Sequence, residues 1–159
     1  MFYQRASATS LRFDNAAWSL SSILLIMFGV SLILIGFYFA FLRPPLLPED
    51  LRYSGALQAQ LDTVAPQLAS WLKQEFRVMG GYIAATGVLT ISLAATSFRL
   101  HSRVAAFGTL IGGLVSIAWM ATINFLIDSD FKWVLVGVVL LWACSMGRFW
   151  SETRSCRVG

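Results

Sequence analysis

The stretch AWSLSSILLIMFGVSLILIGFYFAFL, Ala17 to Leu42, contains no charged residue, and the architecture follows from the solvent that such a run requires. A bilayer core about 30 Å thick is crossed by roughly 20 apolar residues of helix. In hydrocarbon a single segment satisfies its backbone polar groups only as a helix, so this stretch is expected to be a membrane span. Arg5 and Arg12 precede it, as in a secretory signal. Its apolar run, however, far exceeds the roughly 7–15 residues of a signal core, and it closes in Phe41-Leu42-Arg43-Pro44-Pro45 without a small-x-small cleavage site. We read it as retained, with Arg43-Pro44-Pro45 ending the helix because proline lacks an amide donor and restricts the residue before it.

The rest of the chain repeats the pattern. Of its 159 residues 57% are apolar and 13% charged, against about 45–50% and about 25% in soluble domains, which makes lipid the expected solvent. Further apolar stretches cover 76–98, 104–127 and 131–147. The expected fold is an all-α polytopic membrane protein: a four-transmembrane-helix up-down bundle over 17–147, with an N-terminal tail 1–16 and a C-terminal tail 148–159. Short turns after the second and third spans make consecutive helices antiparallel.

Four spans put both termini on one side. That side receives Arg5, Arg12, Arg99, Arg103, Arg148, Arg154 and Arg157 in short segments; the other receives Arg43, Arg52, Lys73, Arg77 and Lys132. The positive-inside bias then predicts cytoplasmic termini. Six of the eight carboxylates, Glu49, Asp50, Asp62, Glu75, Asp128 and Asp130, fall on the outer side. A net charge of +4 without a basic, aromatic-interleaved stripe argues against nucleic acid as a partner. Cys144 and Cys156 form no CxxC pair and His101 is the only histidine, so no metal site is expected.

The outer loop 43–75 is expected to hold short amphipathic helices. Pro48 suits a first helical position, Glu49 and Asp50 suit the positive end of a helix dipole, and Gly55 suits a terminus. Leu57, Leu61 and Val64 then share one face, as do Leu68, Trp71 and Leu72 after Pro66. Small residues mark the close approaches of membrane helices. Ser22, Gly29 and Gly36 recur every seven residues, Gly80 belongs to a small-residue-rich second span, and Gly108, Gly112 and Ser116 sit four apart. Packing inside the bundle is preferred to a dimer interface for these glycines.

The polar exception is NFLIDSDFKW, Asn124 to Trp133. Two readings are open. In one, Arg77, Tyr82, Asn124 and Asp128 form an outward-facing pocket in which Arg77 holds an anionic or carbonyl-bearing ligand. In the other, Asp128-Ser129-Asp130 is turn chemistry, Lys132 snorkels to headgroups, and Arg77 with Asp128 is an interfacial ion pair. Asn124, an amide one turn inside the hydrocarbon boundary, needs a partner in either case. Trp119 and Trp142 are expected in the bundle interior, and Cys144 acts as a small apolar residue.

Pro48-Glu49-Asp50, the second span Phe76-Arg77-Val78-Met79-Gly80-Gly81-Tyr82-Ile83-Ala84-Ala85-Thr86-Gly87, the basic turn and Asn124 to Asp130 together resemble the DoxX-like group of small bacterial inner-membrane proteins. The resemblance covers roughly 17–147, with Arg77, Gly80, Gly81 and Gly87 the most suggestive positions. It implies the bacterial inner membrane as location. No cofactor is expected from the residues; because some members of that group are membrane subunits of quinone-linked oxidoreductases, the resemblance leaves room for a bound quinone or lipid. This chain has no cysteine pair or histidine cluster to carry electrons. The first expectation is therefore a non-catalytic accessory or scaffold protein in contact with membrane lipid, other membrane subunits or a second copy. A quinone- or lipophile-binding redox subunit is the alternative. A small transporter comes third, since no ionisable residue sits in mid-span.

Overall fold

The computed structural model describes residues 18–55 and 57–158, without the side chains of 155–158. The N-terminal tail with Arg5 and Arg12, and the side chains of Cys156 and Arg157, lie outside the described residues. The helices are α1 (Leu20–Phe37), α2 (Pro48–Ser54), α3 (Gln58–Val64), α4 (Leu68–Leu93), α5 (Arg103–Gly113), α6 (Trp119–Leu126) and α7 (Lys132–Val158). Three wider π turns extend or join them: Tyr38–Leu42 after α1, Ala94–Phe98 after α4, and Leu114–Ala118 between α5 and α6. Four segments are long and apolar enough to cross a bilayer: Leu20–Leu42, Leu68–Phe98, Arg103–Leu126 and Lys132–Arg154. The chain is an all-α membrane protein built on a four-helix bundle.

Two boundaries differ from the apolar-run reading. The second span begins at Leu68, well before Phe76, because nothing between Pro66 and the apolar run breaks a helix. At 1.5 Å per residue its 31 residues reach about 46 Å, so its first turns rise beyond a hydrocarbon core of about 30 Å. The fourth helix continues past Gly147 to Val158, and Phe149, in what was expected to be the tail, is fully buried.

The closest seam lies between the first and second spans. A Cβ on Gly36 would stand 2.6 Å from the Gly80 carbonyl oxygen, and one on Gly80 would stand 2.5 Å from that of Gly36. Gly29 and Gly87 repeat the relation, at 2.9 and 2.5 Å. One further seven-residue step in each direction reaches Ser22 and Ala94, both fully buried. At Gly29 and Gly36 the seven-residue spacing marks the close approach: only hydrogen side chains let the backbones come so near.

Across the bundle the spans lie in the order second, first, fourth, third, since α1 packs on both α4 and α7, and α7 packs on the third span. The core is formed by Leu25, Phe28, Leu32 and Ile35 of α1, by Leu135, Val138, Trp142, Met146 and Phe149 of α7, and by Ile117 and Ala121. In the third span the close-packed glycine is Gly113, where any Cβ would overlap the Trp142 indole. The expectation for Gly108 and Gly112 fails: a Cβ on either meets nothing within 4 Å. They lie one residue, about 100° of helix, to the side of the buried stripe.

α2 forms as expected, with Pro48 at its start, the Asp50 carboxylate accepting from the Leu47 N–H at 2.9 Å, and Gly55 left-handed at φ 66°. The Leu57 N–H likewise donates to Gln60 Oε1 at 3.1 Å before α3. Leu57 and Val64, on the apolar face of α3, are exposed.

Candidate functional site

The second and third spans join through a short turn at His101. They pack together beside that turn, where α5 meets Ala94–Phe98, and they diverge toward the loop end. The divergence opens a cleft. At the loop end it is a cavity of about 820 Å³ between the end of the first span, α2, the second and third spans, and the turn at Ser129. A groove of about 360 Å³, sharing Met79, Ile83, Ser116 and Met120 with the cavity, continues it toward mid-span.

The walls are apolar where the spans supply them: Phe76, Met79 and Ile83 on one side, Trp119, Met120, Ile123 and Ile127 on the other. The Leu114–Ala118 π turn shapes the second wall. Trp119 N–H donates to the Leu114 carbonyl five residues back, and Ser116 Oγ donates to the Gly112 carbonyl at 2.6 Å. The wider turn sets Trp119 facing outward at 64% exposure, so the expectation that it fills the interior fails. Trp142 does lie in the interior, its Nε1–H donating to the Thr109 carbonyl at 3.2 Å.

The polar end of the cavity is built by α2 and the two loop-end turns. Arg43 extends from the proline-terminated first span, lies over the Phe76 ring at 3.7 Å and the Phe39 ring at 5.5 Å, and pairs with Asp50 at 3.1 Å. Glu49 is 6% exposed, and its Oε1 accepts from Ser129 Oγ at 3.2 Å. Ser129 in turn accepts from the Phe131 N–H at 3.2 Å. The Asp-Ser-Asp turn, with Asp128 at φ 51°, is thus both a wet corner and the clamp that seats Glu49 in the wall. Asp130, also on the lining, pairs with Arg52 at 3.5 Å between two exposed side chains, where such a pair contributes little.

Of the four residues expected to form a pocket, the structure brings one to the cavity. Asn124 lines it, and its Nδ2 donates to the Met120 carbonyl at 2.9 Å on its own helix. Tyr82 is 74% exposed and lines the groove. Arg77 is turned toward the first span, beside Gly36, Ala40 and Gly80, and donates to Gln74 Oε1 at 3.2 Å. Asp128 pairs with Lys132 one turn along. The expected Arg77–Asp128 pair is therefore not formed, because Arg77 occupies the face of the second span opposite the cleft. The hydrogen bond from Lys132 and its charge, with a smaller contribution from Arg52, hold the Asp128 carboxyl below its ordinary value.

A second polar cluster sits at the other end of the bundle. Glu152 of α7 accepts from Ser21 Oγ at 2.5 Å and from the Ser21 N–H at 3.3 Å, and lies 3.6 Å from His101 Nε2. Buried Ser145 donates to the Ser21 carbonyl at 2.8 Å, and His101 stacks on Phe149 at 5.6 Å. A carboxylate at the positive end of α1 satisfies an N–H that the helix itself leaves free. Nothing local in the sequence signals this cluster, since Ser21 and Glu152 are 131 residues apart.

Among the described residues no three His, Cys, Asp or Glu side chains converge as metal ligands. Comparison with family models, with curated proteins and with solved structures finds no match to this chain.

Proposed function

We propose that this chain is a non-catalytic membrane protein that holds an amphiphile of the bilayer in the cleft between its second and third spans. The observation that carries the reading is the cavity itself. Its volume of about 820 Å³ falls in the roughly 300–1,000 Å³ range of small-molecule sites, its walls are apolar, and one end carries Arg43, Glu49, Asp50, Asn124 and Ser129. An aqueous solute gains little from such walls, whereas an alkyl or isoprenoid chain with a polar head matches both ends. In this reading the DoxX-like resemblance, the bacterial inner membrane and the cytoplasmic termini all belong to the proposal, and they fit an accessory role beside other membrane subunits.

The test is gentle extraction of the full chain followed by mass spectrometry of the molecules that remain bound. Wild-type protein should carry an amphiphile near one-to-one. Ser116→Phe, which places a ring in both cavity and groove, should lose it while melting near the wild-type temperature. Equal retention by wild type and variant would refute the site.

A further inference from the structure

We infer that the cleft selects amphiphiles whose head is a positively charged nitrogen; this rests on the amphiphile reading above and adds the sign of the ligand. Among the described residues, four carboxylates line cavity and groove, Glu49, Asp50, Asp130 and Glu75, with Arg43 the one cation on the lining; Asp50 is paired with Arg43 and Asp130 with Arg52, which leaves Glu49 and Glu75. Arg43 is already engaged. It pairs with Asp50 and lies over the Phe76 and Phe39 rings, so turning to an incoming anion would break these contacts. Glu49 is different: it is buried in the wall, its only hydrogen-bond donor is the neutral Ser129 hydroxyl, and no cation pairs with it among the described residues. Glu75 likewise has no cationic partner among the described residues.

The aromatic lining points the same way. Trp119 lines the cavity and stacks on no other aromatic ring among the described residues, and Tyr38 and Phe131, also on the lining, stack on each other at 5.7 Å. Aromatic faces attract cations and repel anions, and together with a carboxylate they recognise ammonium groups. The carboxylates do not converge as metal ligands. An organic cation fits instead, its charge beside Glu49 and its chain between Met79 and Met120. An anionic head in the same place would face uncompensated Glu49 in surroundings where charges are weakly screened.

The experiment measures binding of three probes of equal chain length to the full protein in a neutral maltoside detergent: dodecyltrimethylammonium, laurate and dodecanol. We expect saturable binding of the ammonium probe, with laurate at least about tenfold weaker, as expected for exchanging one attractive for one repulsive partly buried contact. Glu49→Gln keeps the shape and the Ser129 hydrogen bond and should remove most of that preference. Asp130→Asn, exposed at the rim, provides a second charge deletion in a position where folding is not at stake, and should reduce the preference less. Laurate or dodecanol binding as tightly as the ammonium probe overturns the charge selection and leaves the amphiphile cleft standing. An unchanged preference in both variants does the same. If none of the three probes saturates, or if Ser116→Phe binds them all normally, the cleft reading falls with it.

Discussion

The seam between the first and second spans allows a sharp test by adding one methyl group. In Gly80→Ala the new Cβ would lie 2.5 Å from the Gly36 carbonyl oxygen and 2.6 Å from the Ala40 backbone nitrogen, against ordinary contact from 3.4 Å. Both obstacles are backbone, so no side chain can rotate away; the spans must part by about 0.9 Å. A radial gap of about 0.5–1 Å forfeits roughly a quarter to a half of the dispersion attraction of each facing atom pair, and the loss extends along the helices to Gly29 and Gly87. Overpacking of this kind costs about 1–3 kcal/mol, and backbone obstacles place Gly80→Ala at the upper end. Gly36→Ala meets the same obstacle from the other side. The double variant should therefore cost less than the sum, because one separation relieves both clashes. Gly81→Ala and Gly112→Ala, whose Cβ atoms meet open space, are the controls and should change stability little. Reversible unfolding in mixed detergent would measure all five. Should Gly112→Ala destabilise as much as Gly80→Ala, or should Gly80→Ala be neutral, the seam is misplaced and the reasoning fails.

Other positions give further expectations. Glu152→Ala removes a charged acceptor from the Ser21 hydroxyl and N–H and should cost about 1.5–3 kcal/mol, read as a lower unfolding midpoint; Arg148→Ala, exposed one turn away, should leave it unchanged. Trp142→Phe keeps most of the core volume but deletes the bond to the Thr109 carbonyl; in a membrane such bonds contribute about 0.6 kcal/mol and up to about 1.7, so a modest fall in midpoint is expected. For Asp128 the sign is set by a carboxyl held below its ordinary 3.8 by Lys132. The stabilisation is present above that value and is lost as pH falls through the lowered folded value. The effect is small because Asp128 is exposed, and Lys132→Gln should flatten the acid limb of a melting-temperature profile that Arg77→Gln leaves intact.

Much of the architecture is legible in local chemistry. Length and hydrocarbon content alone require four spans, Pro44-Pro45 ends the first, and Pro48 and Gly55 bracket α2. The seven-residue stripe of Ser22, Gly29 and Gly36 is legible because α1 is a regular helix over that length. The third span misleads for an identifiable reason. Its buried stripe is Ala105, Thr109, Gly113, Ile117 and Ala121, each four residues from the next. In a straight helix a four-residue step drifts about 40° per turn, so the stripe would leave the core; the π turn at Leu114–Ala118 widens the helix and returns it. The sequence offers an equally spaced stripe at Gly108, Gly112 and Ser116, and nothing in residue type marks the true one. The site was legible in part. The Asn124–Asp130 corner lies at the end of the molecule where the cavity opens. Arg77 does not line that cavity, because the rotation of the second span is set by Gly80 and Gly87 facing the first span, which turns Arg77 with them. Glu49 and Arg43 read as ordinary loop and helix-end residues; only the folding of α2 onto the Ser129 turn makes them part of a wall.

The divergence of two spans joined by a short turn has a thermodynamic consequence. Val78, Tyr82 and Trp119 are exposed on the flank of the cleft, so in a bilayer the opening faces acyl chains and the empty state is a solvated one. For the amphiphile proposed to bind there, occupancy would be a competition at fixed surface density: it would depend on the mole fraction of the guest among its neighbouring lipids and be indifferent to dilution of the aqueous phase. A dissociation constant quoted in molar units would drift with the amount of detergent or lipid added, whereas the same measurement expressed per hundred surrounding lipids would stay fixed.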